Sequence, residues 1–275
     1  MKKFMAIGLA ALMAFSIVGC SKKGDQTNIG DAEEELISNE EMIHGNLEYG
    51  VNESGNFEIT DFAYAGAEKV DVVIPAKIDG RPVTGIAADA FKSATLMKSV
   101  TFEEGSNIEY IGAFAFYGCE LLTTVTLPNT VKTLGEGAFW GCTALETVNL
   151  PSALETVGNY AFWSCKALKG VTLPERELTL DADTEEMVGY ITVGEGAFFD
   201  CDALSEVVLP KNTKSVGKGA FVYCDGLTKV TFKSADTELG EGVFAGSDNV
   251  KISAPAESKA ATYAAAEKIE LIPAQ

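Results

Sequence analysis

The side chains able to do covalent or metal chemistry in this chain are few: six cysteines and a single histidine. Five of the cysteines, Cys119, Cys142, Cys165, Cys201 and Cys224, each follow a phenylalanine by three residues and lie 23 or 36 residues apart. No two form a CxxC pair, so the usual zinc spacing is absent, and a one-per-repeat column with parallel Cβ vectors is unfavourable for disulfides. They read as buried thiols acting as small apolar groups. The histidine, His44, lies in an acidic N-terminal stretch, which leaves no serine or cysteine nucleophile of the repeats with a histidine base. A GxxxxGKS phosphate loop is missing and the glycines recur with the repeat. The expectation is a protein that is not an enzyme and takes no cofactor or metal.

The sixth cysteine has a different setting. Met1, Lys2 and Lys3 precede an uncharged apolar run from Phe4 to Val18, too short to span a bilayer, that closes on Ile17, Val18, Gly19 and Cys20. This ending resembles the bacterial lipobox, which implies a signal peptide over residues 1–19 and lipidation of Cys20. Two or three acyl chains would hold the chain durably at a membrane. Residues 20–46 are acidic and poor in large apolar side chains, and read as a flexible tether with a reach of roughly 25 to 30 Å. The whole chain carries −19. Cleavage before Cys20 removes two lysines and no acid, giving −21, a sign that opposes nucleic acid and anionic lipid heads.

Two further groups of residues could recognise a partner. Tyr117, Trp140, Trp163 and Phe199 occupy the position after a recurring phenylalanine in four successive units, so stacking would line them up as an aromatic shelf suited to a sugar ring or a partner's apolar patch. The competing reading is that the rings stack on one another and cover the turns. The second group lies in a thirteen-residue insertion within 175–192, where Leu178 to Leu180 and Tyr190 to Thr192 predict a hairpin around an acidic tip of Asp181, Asp183, Glu185 and Glu186. Counted as a calcium loop from Asp181, the tip puts Glu186 and Thr192 where glycine and a carboxylate are required, so a solvated turn is expected.

What must position these groups is a repeat. Phe91, Phe116, Phe139, Phe162, Phe198, Phe221 and Phe244 are 25, 23, 23, 36, 23 and 23 residues apart. Each is preceded at five residues by an aliphatic such as Ile111 or Leu134, and followed at six by Met97, Leu122, Leu145, Leu168, Leu204, Leu227 or Val250. Short alternations such as Val125 and Leu127 before Pro128 complete the unit. One short strand, a stop at proline, a glycine turn and a helical or 3₁₀ segment at the Ala-Phe pair are predicted per unit. No unit can bury its own apolar face, so the units must stack, with strands in a parallel sheet.

The stretch from Thr133 to Pro151, TLGEGAFWGCTALETVNLP, resembles the BspA-like leucine-rich repeat, and the likeness recurs over roughly residues 70–252. It implies an α/β repeat solenoid of about seven 23-residue repeats over residues 82–252, with caps at 47–81 and 253–275. Phe57 to Thr60 and Val72 to Ile74 are the expected entry strands; an alanine-rich helix and a strand at Ile269 to Ile272 are expected to close the exit. The resemblance also implies a bacterial surface protein that adheres to an extracellular protein or glycan. A structural envelope protein without a specific ligand is the alternative.

Overall fold

The structure is a computed structural model that describes residues 42–273. The signal segment, Cys20 and most of the acidic stretch lie outside the described residues. From Met42 onward the chain winds into a solenoid with two strand-bearing faces and a third face of stacked turns.

One sheet begins with three antiparallel strands, Met42–His44, Leu47–Val51 and Phe57–Phe62. It continues as parallel strands through Arg81–Ile86, Tyr110–Ile111, Thr133–Leu134, Thr156–Val157, Ile191–Val193, Thr213–Val216 and Glu238–Leu239. Paired structure therefore starts five residues ahead of the boundary placed at residue 47, and His44 belongs to the first strand, in register with Leu47. The second face holds two sheets. Val70–Ile74, Met97–Phe102, Thr124–Thr126 and Thr147–Asn149 form the first; Gly170–Thr172, Glu206–Leu209, Lys229–Phe232, Lys251–Ala254 and Glu270–Pro273 form the other. In-register parallel pairing, as in Val125 with Val148 and Val207 with Val230, is what identical offsets in successive units require.

The third face departs from the expected helical or 3₁₀ segments. Each Ala-Phe segment is a run of turns, because the residues two before and two after the phenylalanine both take left-handed φ: +55° and +74° at Gly137 and Gly141, +57° and +55° at Tyr160 and Ser164. Left-handed residues at this spacing cannot propagate a right-handed helix. The backbone bonds instead to the next unit. Phe116 N–H donates to the Ala138 carbonyl at 2.8 Å, Phe139 N–H to Ala161 at 2.7 Å and Phe162 N–H to Ala197 at 2.7 Å. The aliphatic five residues before each phenylalanine likewise belongs to a strand, so each unit holds two strands rather than one.

Inside, the phenylalanines form a continuous pile of buried rings. Centroids from Phe91 through Phe244 are 4.9 to 5.6 Å apart and successive planes lie within 11°. The tight pitch rests on glycine: a Cβ at Gly135 would come 2.6 Å from the Ala113 nitrogen, in the backbone of the preceding turn. The pile is closed by Phe62, 5.5 Å from Phe91, and by Tyr263, edge-on at 6.1 Å from Phe244. Tyr263 sits on the helix Lys259–Glu267, capped by Ser258, whose Oγ accepts from Ala261 N–H at 3.1 Å.

Candidate functional site

The cysteine column is buried and its thiols are free. Each also makes a bond that an apolar filler would not: Cys119, Cys142, Cys165, Cys201 and Cys224 donate to the carbonyls of Phe91, Phe116, Phe139, Phe162 and Phe198 at 3.0 to 3.2 Å. Ser247, at the same place in the last unit, donates to Phe221 at 2.7 Å. The column therefore satisfies a buried carbonyl in each turn. Burial holds the thiols of Cys142, Cys165 and Cys201 above their ordinary range and raises Cys224 to about 12, so the protonated donor form is the stable one.

The aromatic row is larger than its four expected members, and most of those four stack on one another. Trp140 and Trp163 stack at 4.8 Å with planes 12° apart, and Phe199 stacks on Trp163 at 4.2 Å. Tyr117 meets Trp140 at 65° and 5.8 Å. The stacked rings cover one another's faces, as the competing reading has it, so the strip offers ring edges rather than a flat shelf. Three further rings join it: Phe114 lies 6.3 Å from Trp140, Tyr160 5.2 Å from Trp163, and Tyr223 5.4 Å from Phe199 at 88°. The four expected members are half-buried, whereas Tyr223 is 55% exposed.

These three rings share a backbone feature. Phe114 and Tyr160 stand two residues before their phenylalanine, where glycine stands in four other units, and have φ of +55° and +57°. Tyr223 stands two residues after, where three other units have glycine, with φ of +55°. A bulky side chain in this conformation costs roughly 1 to 2 kcal/mol. Each ring then lies over a glycine of the next unit. An added Cβ at Gly137 would meet Phe114 Cδ1 at 2.5 Å, one at Gly196 would meet Tyr160 Cδ1 at 2.7 Å, and one at Gly246 would meet Tyr223 Cδ1 at 2.4 Å. Reading the sequence by the position after the phenylalanine misses all three. Reading down the glycine columns for intruders would have found them.

Charge frames the strip. Lys92 Nζ is 5.9 Å from the ring centres of both Phe114 and Tyr117. Tyr160 donates to Glu195 at 3.1 Å, and its hydroxyl is held above the usual phenol range by partial burial and then by that carboxylate.

In the insertion, a hairpin forms between Thr179–Leu180 and Met187–Val188. Its second strand is not Tyr190 to Thr192 as expected. Gly189, with φ of +97°, turns the chain out of the hairpin, and Ile191–Val193 pairs within the solenoid. Tyr190 is half-buried at the base, with Lys214 Nζ 5.6 Å from its ring. Asp181 builds the tip: its carboxylate accepts from Asp183 N–H at 3.0 Å and from Thr184 N–H and hydroxyl at 2.8 and 2.9 Å. These donors, the Thr184 backbone first, lower its pKa. Asp183, Glu185 and Glu186 are exposed. Among the described residues, no cluster of three or more metal-ligating side chains occurs.

Stacked parallel strands, a phenylalanine pile and a hydrogen-bonded column of turns define a leucine-rich-repeat solenoid. The chain belongs to the BspA-type leucine-rich repeat region family, whose sequence model matches residues 58–184 and 188–267 in six copies. A leucine-rich repeat protein from T. pallidum is 28% identical, over 82% of this chain and 95% of that one, with a TM-score of 0.63. One from Bacteroides ovatus is 20% identical over 78% and 70%, with a TM-score of 0.49. A leucine-rich cell surface protein from Faecalibacterium prausnitzii is 17% identical over 86% and 95%, with a TM-score of 0.38. A search of curated proteins returned no match.

Proposed function

We propose that this chain is an exported recognition protein, anchored at the bacterial surface through lipid on Cys20, that holds an extracellular protein or glycan along its aromatic strip. The observation that carries the reading is the placement of Phe114, Tyr160 and Tyr223 at left-handed positions that glycine fills in other turns. Rings kept where the backbone favours glycine, all three joined to one strip, point to a task for that strip. Edge-out rings present weakly positive hydrogens, and Tyr117, Tyr160 and Tyr223 add hydroxyls, a combination suited to carbonyl- and hydroxyl-bearing ligands. Membership of the family supports the surface address.

The test is saturable binding of the lipid-free chain to a glycan array and a panel of purified extracellular proteins. Tyr160→Gly restores the residue type of the neighbouring turns and relieves the backbone. It is expected to leave the fold intact while weakening binding at least tenfold, as is Tyr223→Ser. Binding indifferent to both changes would move the function off this strip. The alternative, a spacing or shielding component of the envelope, is favoured by the mutual covering of the Trp140, Trp163 and Phe199 faces. It predicts no saturable ligand in either panel. For the anchor, a radiolabelled fatty acid is expected on the wild-type chain, with loss of label and release from membranes in Cys20→Ser.

A further inference from the structure

The hairpin displays an apolar patch that its own protein does not cover. Leu180, Met187 and Val188 are 63%, 46% and 42% exposed, three of the seven large hydrophobic residues exposed among those described. Leu180 and Met187 are cross-strand partners and share one face, whereas Val188, paired with Thr179, takes the opposite face. An exposed two-stranded hairpin gains little stability from such side chains in water, where serine or threonine would serve as well.

The hairpin is nevertheless held firmly. At its root, Arg176 donates to the carbonyls of Ala153 at 3.3 Å and Leu154 at 2.9 Å, in the preceding unit. Asn212, fully buried in the following unit, donates to the Gly189 carbonyl at 3.0 Å. Lys233 pairs with Glu175 at 2.6 Å. At the far end, the Asp181 turn is closed by Asp181 N–H to the Glu186 carbonyl at 2.8 Å. Both ends are thus ordered before any contact is made, which lowers the entropic cost of binding. Around the patch the exposed charges of the tip, Asp183, Glu185 and Glu186, share one sign.

We infer that the hairpin over residues 177–189 is a docking finger that enters an apolar cleft, rimmed by lysine or arginine, on a protein partner, with Leu180 and Met187 against one wall and Val188 against the other. The rim follows from charge complementarity, since three unpaired carboxylates beside the patch repel an acidic surface and steer a basic one. Two copies of this chain would bring like-charged tips together and are disfavoured as the occupant. This surface is separate from the aromatic strip and does not depend on the function proposed for it.

The neighbouring units supply a clean deletion. Pro151 is joined to Val157 by five residues, Ser152 to Thr156, so those five can replace residues 175–192 between Pro174 and Val193. The probe is a phage-displayed library of constrained peptides selected on the full lipid-free chain, with affinities then measured by calorimetry on synthetic peptides. The inference expects peptides combining aromatic or aliphatic residues with lysine or arginine. Their affinity should fall at least tenfold both in the linker replacement and in Leu180→Ser/Met187→Ser, and weaken as salt rises. The double substitution keeps the finger and guards against loss of fold in the replacement. Selected peptides lacking basic residues, or binding unchanged in the double variant, would overturn it. So would a dimer of the wild-type chain that the double variant abolishes, since the occupant would then be a second copy.

Discussion

At the residue scale the thiol column makes a prediction with a definite sign. Cys142, Cys165, Cys201 and Cys224 have folded pKa values above the ordinary 9.0, with burial as the first cause. A raised value means that above pH 9 the unfolded chain sheds protons that the folded chain keeps. The stabilisation is fully present below about pH 9 and is lost as pH rises through the folded values, at roughly 1.4 kcal/mol per pH unit for each thiol. Urea midpoints at pH 8, 9.5 and 10.5 should therefore fall steeply. Cys224→Ser, a change already present at Ser247 in the same column, should flatten the slope by one thiol's share. An unchanged slope would show that this thiol ionises in the folded protein. Gly137 carries a second prediction. Alanine there combines a φ of +55° with a Cβ 2.5 Å from the Phe114 ring, so Gly137→Ala should cost about 1 to 3 kcal/mol in a denaturant titration.

At the scale of elements, the columns were legible because every unit writes them with the same residue types. The phenylalanines from Phe91 to Phe244, the aliphatics six residues later and strand valines such as Val125, Val171, Val207 and Val230 fall where their spacing put them, in one buried core, with Val148 half-buried against it. The entry strands, the alanine-rich helix and the closing strand were legible by period and composition; the last is Glu270–Pro273, against an expected Ile269 to Ile272. The turn face was not. An Ala-Phe pair flanked by glycines fits a short helical turn as well as a left-handed one, and the column that decides between them holds Asp89, Phe114, Gly137, Tyr160, Gly196, Gly219 and Gly242. Its shared property is a positive φ, which residue type hides in three of seven units. The same concealment hid Phe114 and Tyr160 as members of the strip. Arg176 was equally hidden, because the carbonyls it binds come from another unit. Since Arg176→Ala would strip partners from the Ala153 and Leu154 carbonyls, it should lower stability by about 1 to 3 kcal/mol. It should also raise proteolytic nicking within residues 175–190, read by limited digestion and mass spectrometry.

At the scale of the whole molecule, stability is a chain of contacts between neighbouring units. Ion pairs also run between units, as in Lys132 with Glu109 at 3.0 Å and Lys251 with Glu270 at 2.8 Å. They are about half exposed, so each contributes at most about 1 kcal/mol and the buried columns dominate. A pile of this kind is weakest where a ring has a neighbour on one side only, which is why the ends matter. Removing residues 255–275 would uncover Phe244 and leave Lys251–Ala254 as an open parallel edge, so the truncated chain should elute as oligomers in size-exclusion chromatography. Tyr263→Ala is the finer probe, since it removes only the ring that closes the pile. Under nearest-neighbour coupling, amide exchange should accelerate most in the unit of Phe244, less in that of Phe221, and hardly at all beyond Phe198. Equal acceleration in every unit back to Phe91 would mean that the solenoid opens as one cooperative block, and the caps would then guard the whole molecule rather than its last turns.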